Sequence, residues 1–245
     1  MRPVLFRCGR VSIHSYPAML YVGIVLGVFA QAYAAHAGNL NPRRMIVATL
    51  ILLVPALAGA RLLFVLSNWD HYRGDLRRIW RRSEGGAAMY GGFLLAFPIS
   101  VPLLAVLRIP FGAFWDLASF TMLIGMIFAR VGCLLNGCCC GLPTAGRVGL
   151  YLPDLHGVWT RRIPTQILEG LWAFVVLAGA IALWQVVPFS GALFLYTVAA
   201  YATGRIVLES TRQEQDSLLQ FRLHRMLSAA FVASSAVAFG IAWLR

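Results

Sequence analysis

The chain has 245 residues, of which 60% are hydrophobic and only 12% are charged. A water-soluble domain of this length needs far more polar surface, so the composition excludes an ordinary soluble globular protein. The net charge is +12, and all 21 basic residues are arginines. Because these arginines flank apolar segments, they indicate contact with anionic phospholipid headgroups and not with nucleic acid.

Seven apolar segments follow one another along the chain, each close to the length that crosses a bilayer core as a helix. Backbone polar groups in lipid must be satisfied internally, so helices are predicted for all of them. The predicted spans are residues 17–35, 45–66, 87–107, 111–129, 166–187, 189–204 and 226–244. The sequence therefore predicts an all-α, polytopic transmembrane helical bundle of about seven spans, forming a single integral membrane domain over residues 1–245.

The first span has a second interpretation, as a cleaved signal peptide. Arginines precede it, and Ala32-Tyr33-Ala34 has the small-residue pattern of a signal-peptidase site. We favour a retained span, because Tyr16 in the same segment belongs to a wider pattern described below.

The loop arginines bear on membrane orientation. With a cytoplasmic N-terminus most of them lie on the inner side, and the positive-inside rule favours this orientation. The inner set includes Arg2, Arg7, Arg10, Arg73, Arg77, Arg78, Arg81 and Arg82, and the outer set is Arg43, Arg44, Arg108 and Arg245. The count assumes that these arginines serve topology and not ligand binding.

Three arginines lie within or at the end of predicted spans: Arg61, Arg130 and Arg205. An ionisable side chain in a span costs about 2.5–3.5 kcal/mol on insertion scales, so each needs a partner or a function. The alternative is that the side chains extend to the headgroup layer. Both explanations have equal weight for Arg61, whereas polar neighbours favour a function for Arg130 and Arg205.

The segment over residues 129–144 is rich in glycine and cysteine and begins with Arg130 at the end of the fourth span. A helix that runs into a glycine-rich turn can leave backbone N–H groups able to hold an anion. This segment therefore predicts an anion site beside Arg130.

A second polar segment ends the sixth span. If it remains helical, four polar side chains share one face at spacings of i, i+4, i+8 and i+11. These residues are Tyr201, Arg205, Glu209 and Arg212. Spacing alone leaves two interpretations of equal weight, a structural ion-pair ladder and a phosphate clamp held by its own carboxylate.

Two further polar segments have ordinary structural explanations. Tyr90-Gly91-Gly92 lies in the third span, where small residues favour close helix packing. Pro164 and Glu169 lie at the start of the fifth span, where proline and acidic residues favour helix initiation.

Cys8 stands alone, and Cys133, Cys138, Cys139 and Cys140 cluster in the glycine-rich segment. Adjacent cysteines without paired spacing or a nearby histidine do not resemble a zinc site, so neither a metal nor another cofactor is expected. Packing of buried thiols is the favoured explanation. A disulfide and a reactive thiolate beside Arg130 are the alternatives.

These segments resemble the bacterial phosphatidylglycerol:prolipoprotein diacylglyceryl transferase family, over about residues 16–212. The family's signature loop, roughly G-R-x-G-N-F-x-N-G-E-x-x-G, is A-R-V-G-C-L-L-N-G-C-C-C-G in this chain. Its H-P-[ST]-Q-x-x-E segment is I-P-T-Q-I-L-E over residues 163–169. The other matching positions are Tyr16, Tyr201, Arg205, Glu209 and Arg212.

The chain also departs from the family pattern. The family's H-G-G in the third span is Y-G-G, so Tyr90 occupies the histidine position. In the signature loop, Ala129, Cys133 and Cys138 replace glycine, asparagine and glutamate. A phenol titrates near about 10 and is a poor base at neutral pH, so hydrogen bonding or a perturbed proton relay is expected of Tyr90.

The resemblance implies transfer of a diacylglyceryl group from phosphatidylglycerol to the lipobox cysteine of a prolipoprotein signal peptide, forming a thioether and releasing glycerol phosphate. It implies catalytic roles for Arg130, Arg205 and Tyr90, with the arginines on the phosphate. The candidate substrate-binding residues are Tyr16, Arg61, Asn136, Gly141, Tyr201, Glu209 and Arg212.

The resemblance further implies a multi-pass protein of the bacterial cytoplasmic (inner) membrane, with a site that opens to membrane lipids. It implies an extracytoplasmic N-terminus, opposite to the loop-charge count, and we adopt the family's orientation. Two other functions compete with transfer to prolipoproteins. One is a divergent homologue that acts on another acceptor or headgroup, and the other is a non-enzymatic lipid-binding or lipid-translocating protein.

Overall fold

A computed structural model describes residues 4–8, 11–80, 88–153, 157–212 and 218–244. Seven of its helices are long and apolar enough to cross a membrane, which confirms the predicted all-α polytopic bundle. They are α1 (Ser15–Ala37), α2 (Pro42–Ser67), α4 (Met89–Val106), α5 (Phe111–Asn136), α6 (Thr165–Leu183), α7 (Ala192–Glu209) and α8 (Leu218–Trp243). The predicted span start at Ala87 and several arginines of the loop count lie outside the described residues: Arg2, Arg10, Arg81, Arg82 and Arg245.

Short elements before the first span and between later spans were not predicted. Strands β1 (Val4–Cys8) and β2 (Val11–His14) form an antiparallel hairpin before α1, and β3 (Leu150–Pro153) and β4 (Trp159–Arg162) form another before α6. A short helix α3 (Trp69–Tyr72) and a 3₁₀-helix (Leu76–Trp80) follow α2. These strands have four or five residues each, too few for an alternating pattern to stand out beside the membrane spans.

The fourth span was predicted to end at residue 129, because Arg130 was taken as the membrane boundary. Instead α5 continues to Asn136 and ends where Gly137 adopts the left-handed conformation, with φ 76°. Glycine favours that conformation because it has no Cβ. The extra turns place Arg130 and Cys133 on the helix and not in a loop.

Glycines allow neighbouring helices to approach closely. A Cβ on Gly59 of α2 would collide with the carbonyl oxygen of Gly91 in α4, and a Cβ on Gly92 would lie 2.8 Å from the carbonyl oxygen of Ala56. The packing explanation for Gly91 and Gly92 is therefore confirmed. Along α1, a Cβ on Gly27 would lie 2.7 Å from the Cα of Thr121 in α5.

Successive spans run antiparallel, so one end of the bundle collects several segments that are distant in sequence. Tyr16, at the start of α1, approaches Gly132 near the end of α5, because a Cβ on Gly132 would lie 3.1 Å from the Cα of Tyr16. The start of α6 and the end of α7 meet α5 at this same end through Glu169 and Arg205. We call it the N-terminal end of the bundle.

Asp116 is an acidic residue inside α5, and hydrogen bonds from backbone N–H groups explain how it is tolerated there. Its Oδ2 accepts a hydrogen bond from the N–H of Gly191 at 2.7 Å, and its Oδ1 accepts one from the N–H of Phe194 at 2.9 Å. The carboxylate thus satisfies backbone donors at the first turn of α7 and faces the positive end of that helix.

Replacing Asp116 with alanine is expected to destabilise the protein by about 1–3 kcal/mol for each buried N–H left without an acceptor. Asp116→Asn keeps one acceptor oxygen and should have an intermediate effect. Thermal unfolding in a fixed detergent measures both. The control is Ser119→Ala on the same helix, whose hydroxyl donates to the carbonyl of Trp115 within α5. An alanine variant at position 116 that unfolds like this control would refute the capping role.

Candidate functional site

A buried carboxylate, Glu169 of α6, lies at the centre of the polar residues at the N-terminal end. Its Oε2 is 2.6 Å from Nε of Arg130, and its Oε1 is 2.5 Å from Nη1 of Arg205. Nη1 of Arg212 lies 3.9 Å from the same Oε1. Nη2 of Arg205 is also 2.5 Å from Oε2 of Glu209, one helical turn along α7. We call these five residues the ionic cluster.

The ionic cluster is largely shielded from solvent. The side chain of Glu169 is 2% exposed, and those of Arg130, Arg205 and Arg212 are 12%, 7% and 13% exposed. Extension of Arg130 and Arg205 to the headgroups is therefore contradicted, because both side chains turn inward to a carboxylate. The predicted ion-pair ladder along α7 is present in part, as the contact of Arg205 with Glu209. The helix ends at Glu209, so Arg212 lies beyond it and does not continue the ladder. Burying several charged side chains is energetically costly, so each needs either a structural partner or a ligand.

Some hydrogen-bond donors in and beside the ionic cluster lack an acceptor among the described residues. Among the residues that the structure describes, Nε of Arg205, Nε of Arg212 and the hydroxyl of Tyr201 are buried without a hydrogen-bond partner. Unsatisfied buried donors are rare in native proteins, so their concentration here needs an explanation. An anion bound between the arginines would satisfy them.

The chain segment after α5 is held against α6 and α7 by backbone hydrogen bonds. The N–H of Leu142 donates to the carbonyl of Thr211 at 2.9 Å, and the N–H of Ile163 donates to the carbonyl of Leu142 at 3.0 Å. The side chain of Gln166 donates to the carbonyl of Cys138 at 2.8 Å. The three segments singled out in the sequence thus meet at one place.

Gly141 is required for this close approach. It pairs with Arg212 in an isolated β-bridge, and a Cβ at Gly141 would collide with the carbonyl oxygen of Ile163 and the hydroxyl of Thr165. The absence of a Cβ at Gly141 therefore lets this segment pack closely against the start of α6 while it pairs with the backbone of Arg212.

An apolar cavity of about 330 Å³ adjoins the ionic cluster. Side chains of α2, α4, α5, α7 and α8 line it, and Tyr90 and Tyr201 supply hydroxyls to its wall. The Tyr90 hydroxyl forms a hydrogen bond with Ser228 of α8 and interacts with Arg205, and its ring stacks on Phe231. Tyr90 therefore connects the cavity to the ionic cluster.

Tyr16 lies on the other side of Arg130. It is half-buried at the start of α1 and interacts electrostatically with Arg130 and Cys133. Tyr201 interacts in the same way with Arg130 and Arg205. Both tyrosines are thus placed beside the arginines of the ionic cluster.

Two candidate residues are placed elsewhere. Arg61 donates through Nε and Nη2 to the carbonyl of Ile79, at 3.1 and 2.9 Å, and its guanidinium lies 5.6 Å from the ring centroids of Phe64 and Tyr72. These contacts fasten the 3₁₀-helix to α2. Asn136 is the exposed last residue of α5.

The expectation of free backbone N–H groups for an anion is wrong for the first residues of the turn. The N–H groups of Gly137 and Cys138 both donate to the carbonyl of Cys133, at 3.0 and 3.2 Å. They close the C-terminus of α5, which presents carbonyls and not free donors. The positive charge next to this turn therefore comes from arginine side chains.

The interpretation of Glu169 as a helix-initiation residue is also wrong. It lies beyond the first turn of α6 and pairs with arginines of α5 and α7. Sequence reasoning also missed Gln166 and Ser228. The available signal for Glu169 and Gln166 was their place in the P-T-Q-x-x-E segment, whereas nothing local marked Ser228.

Comparison with known proteins identifies the family of this chain. The family model described as prolipoprotein diacylglyceryl transferase matches residues 3–242. A phosphatidylglycerol–prolipoprotein diacylglyceryl transferase of Nostoc sp. is 27% identical, covering 99% of this chain and 89% of the relative. Enzymes of the same name from Acaryochloris marina and Clostridium botulinum are 26% and 25% identical, covering 99% and 93% of this chain and 90% and 93% of those relatives. The chain therefore belongs to the prolipoprotein diacylglyceryl transferase family.

Proposed function

We propose that this protein transfers a diacylglyceryl group from phosphatidylglycerol to the lipobox cysteine thiol of a prolipoprotein signal peptide. The observation that carries the proposal is the buried convergence of Arg130, Arg205 and Arg212 on Glu169, in a member of this family. A reaction that expels a phosphate needs such donors where water is scarce.

The charge of the ionic cluster suits a phospholipid diester. Three arginines and two glutamates leave one net positive charge among the described members. The phosphodiester of phosphatidylglycerol carries one negative charge, so binding neutralises the site. The glycerol phosphate released carries more negative charge than the diester, so the arginines stabilise the products and the transition state more than the bound lipid.

The apolar cavity suits the lipid tail. It lies beside Tyr90 and Tyr201, so an acyl chain within it leaves the phosphate facing Arg205. The lining is almost wholly apolar, which favours hydrocarbon and disfavours a polar acceptor. We assign the cavity to part of the diacylglyceryl group.

The transfer forms a C–S bond and breaks two bonds, the C–O bond to phosphate and the S–H bond of the acceptor. The acceptor sulfur attacks the glycerol carbon that bears the phosphate, and the electrons of the C–O bond leave with glycerol phosphate. The thiol proton passes finally to solvent, so glycerol phosphate leaves as a dianion. Arg130 and Arg205 are assigned to the phosphate, and Tyr90 to a hydrogen bond with the headgroup or to relay of the proton.

The experiment is transfer of labelled diacylglyceryl from phosphatidylglycerol to a lipobox peptide by the purified protein in detergent. Labelled thioether peptide is expected, and a peptide with serine in place of the lipobox cysteine should remain unlabelled. Binding of phosphatidylglycerol with no transfer to any peptide would favour a lipid-binding or translocating protein. Transfer from a different headgroup would favour the divergent homologue.

Tyr90→Phe tests the residue that replaces the family histidine. The change removes the hydroxyl that contacts Ser228 and Arg205 but keeps the ring stacked on Phe231. Loss of a proton relay lowers the turnover number by about 10²-fold or more, whereas loss of a positioning hydrogen bond costs only a few-fold. Wild-type turnover in the labelled-lipid assay would remove Tyr90 from the mechanism.

We further propose the bacterial cytoplasmic membrane as the location, with the N-terminal end of the bundle on the extracytoplasmic side. A chain with seven spans and this orientation ends in the cytoplasm. A reporter fused at Arg245 should therefore be active only as a cytoplasmic reporter. Activity of a periplasmic reporter at the same position would reverse the assignment and support the loop-charge count.

A further inference from the structure

The thiols of Cys133, Cys138 and Cys139 converge beside the ionic cluster. Their sulfur atoms all lie within 4.8 Å of one another, and all three residues are present as thiols. Burial of thiols in a packed region accounts for Cys133 and Cys140. Cys138 and Cys139 are only partly buried, and the Cys138 thiol donates to the carbonyl of Cys133 at 3.8 Å, so packing alone does not account for the convergence of the three sulfurs.

The backbone is shaped to bring these sulfurs together. Cys133 lies on the last turns of α5, and Gly137, at φ 76°, reverses the chain. Cys139 then adopts φ 60°, a left-handed conformation that a non-glycine residue takes only where surrounding contacts enforce it. The carbonyl of Cys138 is fixed by Gln166 at 2.8 Å. The turn is thus held in a costly conformation that points two thiols back to the helix.

The spacing fits a metal ion with three sulfur ligands. Metal–sulfur bonds of about 2.3 Å place the sulfurs of a trigonal site about 4 Å apart. Cysteine sulfurs already within 4.8 Å of one another reach that separation with shifts of well under an ångström.

The ligand set selects the kind of metal. Among the described residues the group contains thiols alone, without histidine or carboxylate. Thiolates select soft cations, whereas hard cations such as magnesium and calcium require oxygen ligands. Structural zinc sites almost always have four protein ligands, one more than this group supplies. A soft monovalent cation of the Cu(I) class suits three sulfurs best.

The surrounding charge supports the same choice. Binding of a monovalent cation by three thiols releases three protons and leaves a complex with two negative charges. Arg130 interacts electrostatically with both Cys133 and Cys139, so its guanidinium offsets part of that charge. Tyr16, at the start of α1, is in electrostatic range of all three cysteines.

We propose that Cys133, Cys138 and Cys139 form a binding site for a soft, thiophilic monovalent cation of the Cu(I) class. The site is separate from the phosphate-binding atoms of the ionic cluster but shares Arg130 as a neighbour. The proposal does not depend on the transferase activity, because it rests on the three sulfurs and their geometry.

The test is anaerobic titration of the purified, reduced full-length protein with Cu(I), in competition with a chromophoric Cu(I) chelator. One equivalent should bind, and X-ray absorption should report three sulfur ligands at about 2.3 Å. Cys133→Ser, Cys138→Ser and Cys139→Ser should each weaken binding at least tenfold. Cys8→Ser and Cys140→Ala are the matched controls and should bind like the wild type.

Each variant is checked for its thermal unfolding in the same detergent, so that loss of binding is separated from loss of fold. Cys138→Ser is the most informative, because this thiol is only half-buried. Failure of the wild type to bind one equivalent would overturn the proposal. So would unchanged binding in the three variants, a tighter four-coordinate zinc complex, or a disulfide among these cysteines in the protein as isolated.

Discussion

Arg130→Ala and Arg205→Ala are each expected to lower diacylglyceryl transfer by about 10²–10³-fold or more. Removing one preorganised donor from a site where charge develops has an effect of this size. Both guanidiniums are buried against Glu169, and the proposed function assigns both to the leaving phosphate. The measurement is the turnover number with labelled phosphatidylglycerol and a lipobox peptide, compared with Arg43→Ala at the opposite end of the bundle.

Arg205→Lys distinguishes charge from geometry. Arg205 contacts Glu169 through Nη1 and Glu209 through Nη2, and a lysine supplies the charge without this planar fork. We expect the lysine variant to fold and to remain severely impaired. An alanine variant at either position that is folded and retains wild-type turnover would contradict the assignment of that arginine to the phosphate.

Glu169→Gln is expected to destabilise the protein by about 3–5 kcal/mol, the usual cost of leaving a buried charge without its partner. The change removes a carboxylate that contacts Arg130, Arg205 and Arg212 together. Thermal unfolding in a fixed detergent measures the loss. Glu209→Gln, which removes the partner of Arg205 one helical turn along α7, is the comparison and should cost less.

A double-mutant cycle tests whether the stability lost in Glu169→Gln comes from the interaction of Glu169 with the arginines. If Glu169 is needed to neutralise the arginines, Arg130→Gln in the Glu169→Gln background should cost less stability than it does alone. Phosphatidylglycerol should also stabilise the Glu169→Gln variant more than the wild type, because the lipid phosphate replaces part of the lost negative charge. Additive effects and equal stabilisation by lipid would show that Glu169 does not hold the arginines.

The spans and part of the site were predictable because their signals are local. Apolar stretches of about 20 residues define membrane helices without further context. The shared face of Arg205 and Glu209 follows from a four-residue spacing, and the structure confirms the contact at 2.5 Å. The extent of α5 was misjudged because a buried arginine looks like a membrane boundary in sequence.

The rest of the site depends on contacts between segments far apart in the chain. Glu169 is the clearest case, because its arginine partners come from two other helices. The group of three thiols depends on the left-handed backbone of Cys139, which no local residue pattern indicates. Arg61, a candidate substrate-binding residue, lies apart from the ionic cluster and donates to the carbonyl of Ile79 in the 3₁₀-helix, a contact that no local pattern indicated.

The most direct test of the central claim is to count both products of one reaction. The purified wild-type protein is mixed with phosphatidylglycerol and a lipobox peptide, and thioether peptide and free glycerol phosphate are quantified together. The proposed reaction yields the two products in equal amounts, and Arg205→Ala suppresses both in parallel. Release of glycerol phosphate without thioether, or thioether formed undiminished by the Arg205→Ala protein, would contradict phosphate expulsion by the ionic cluster.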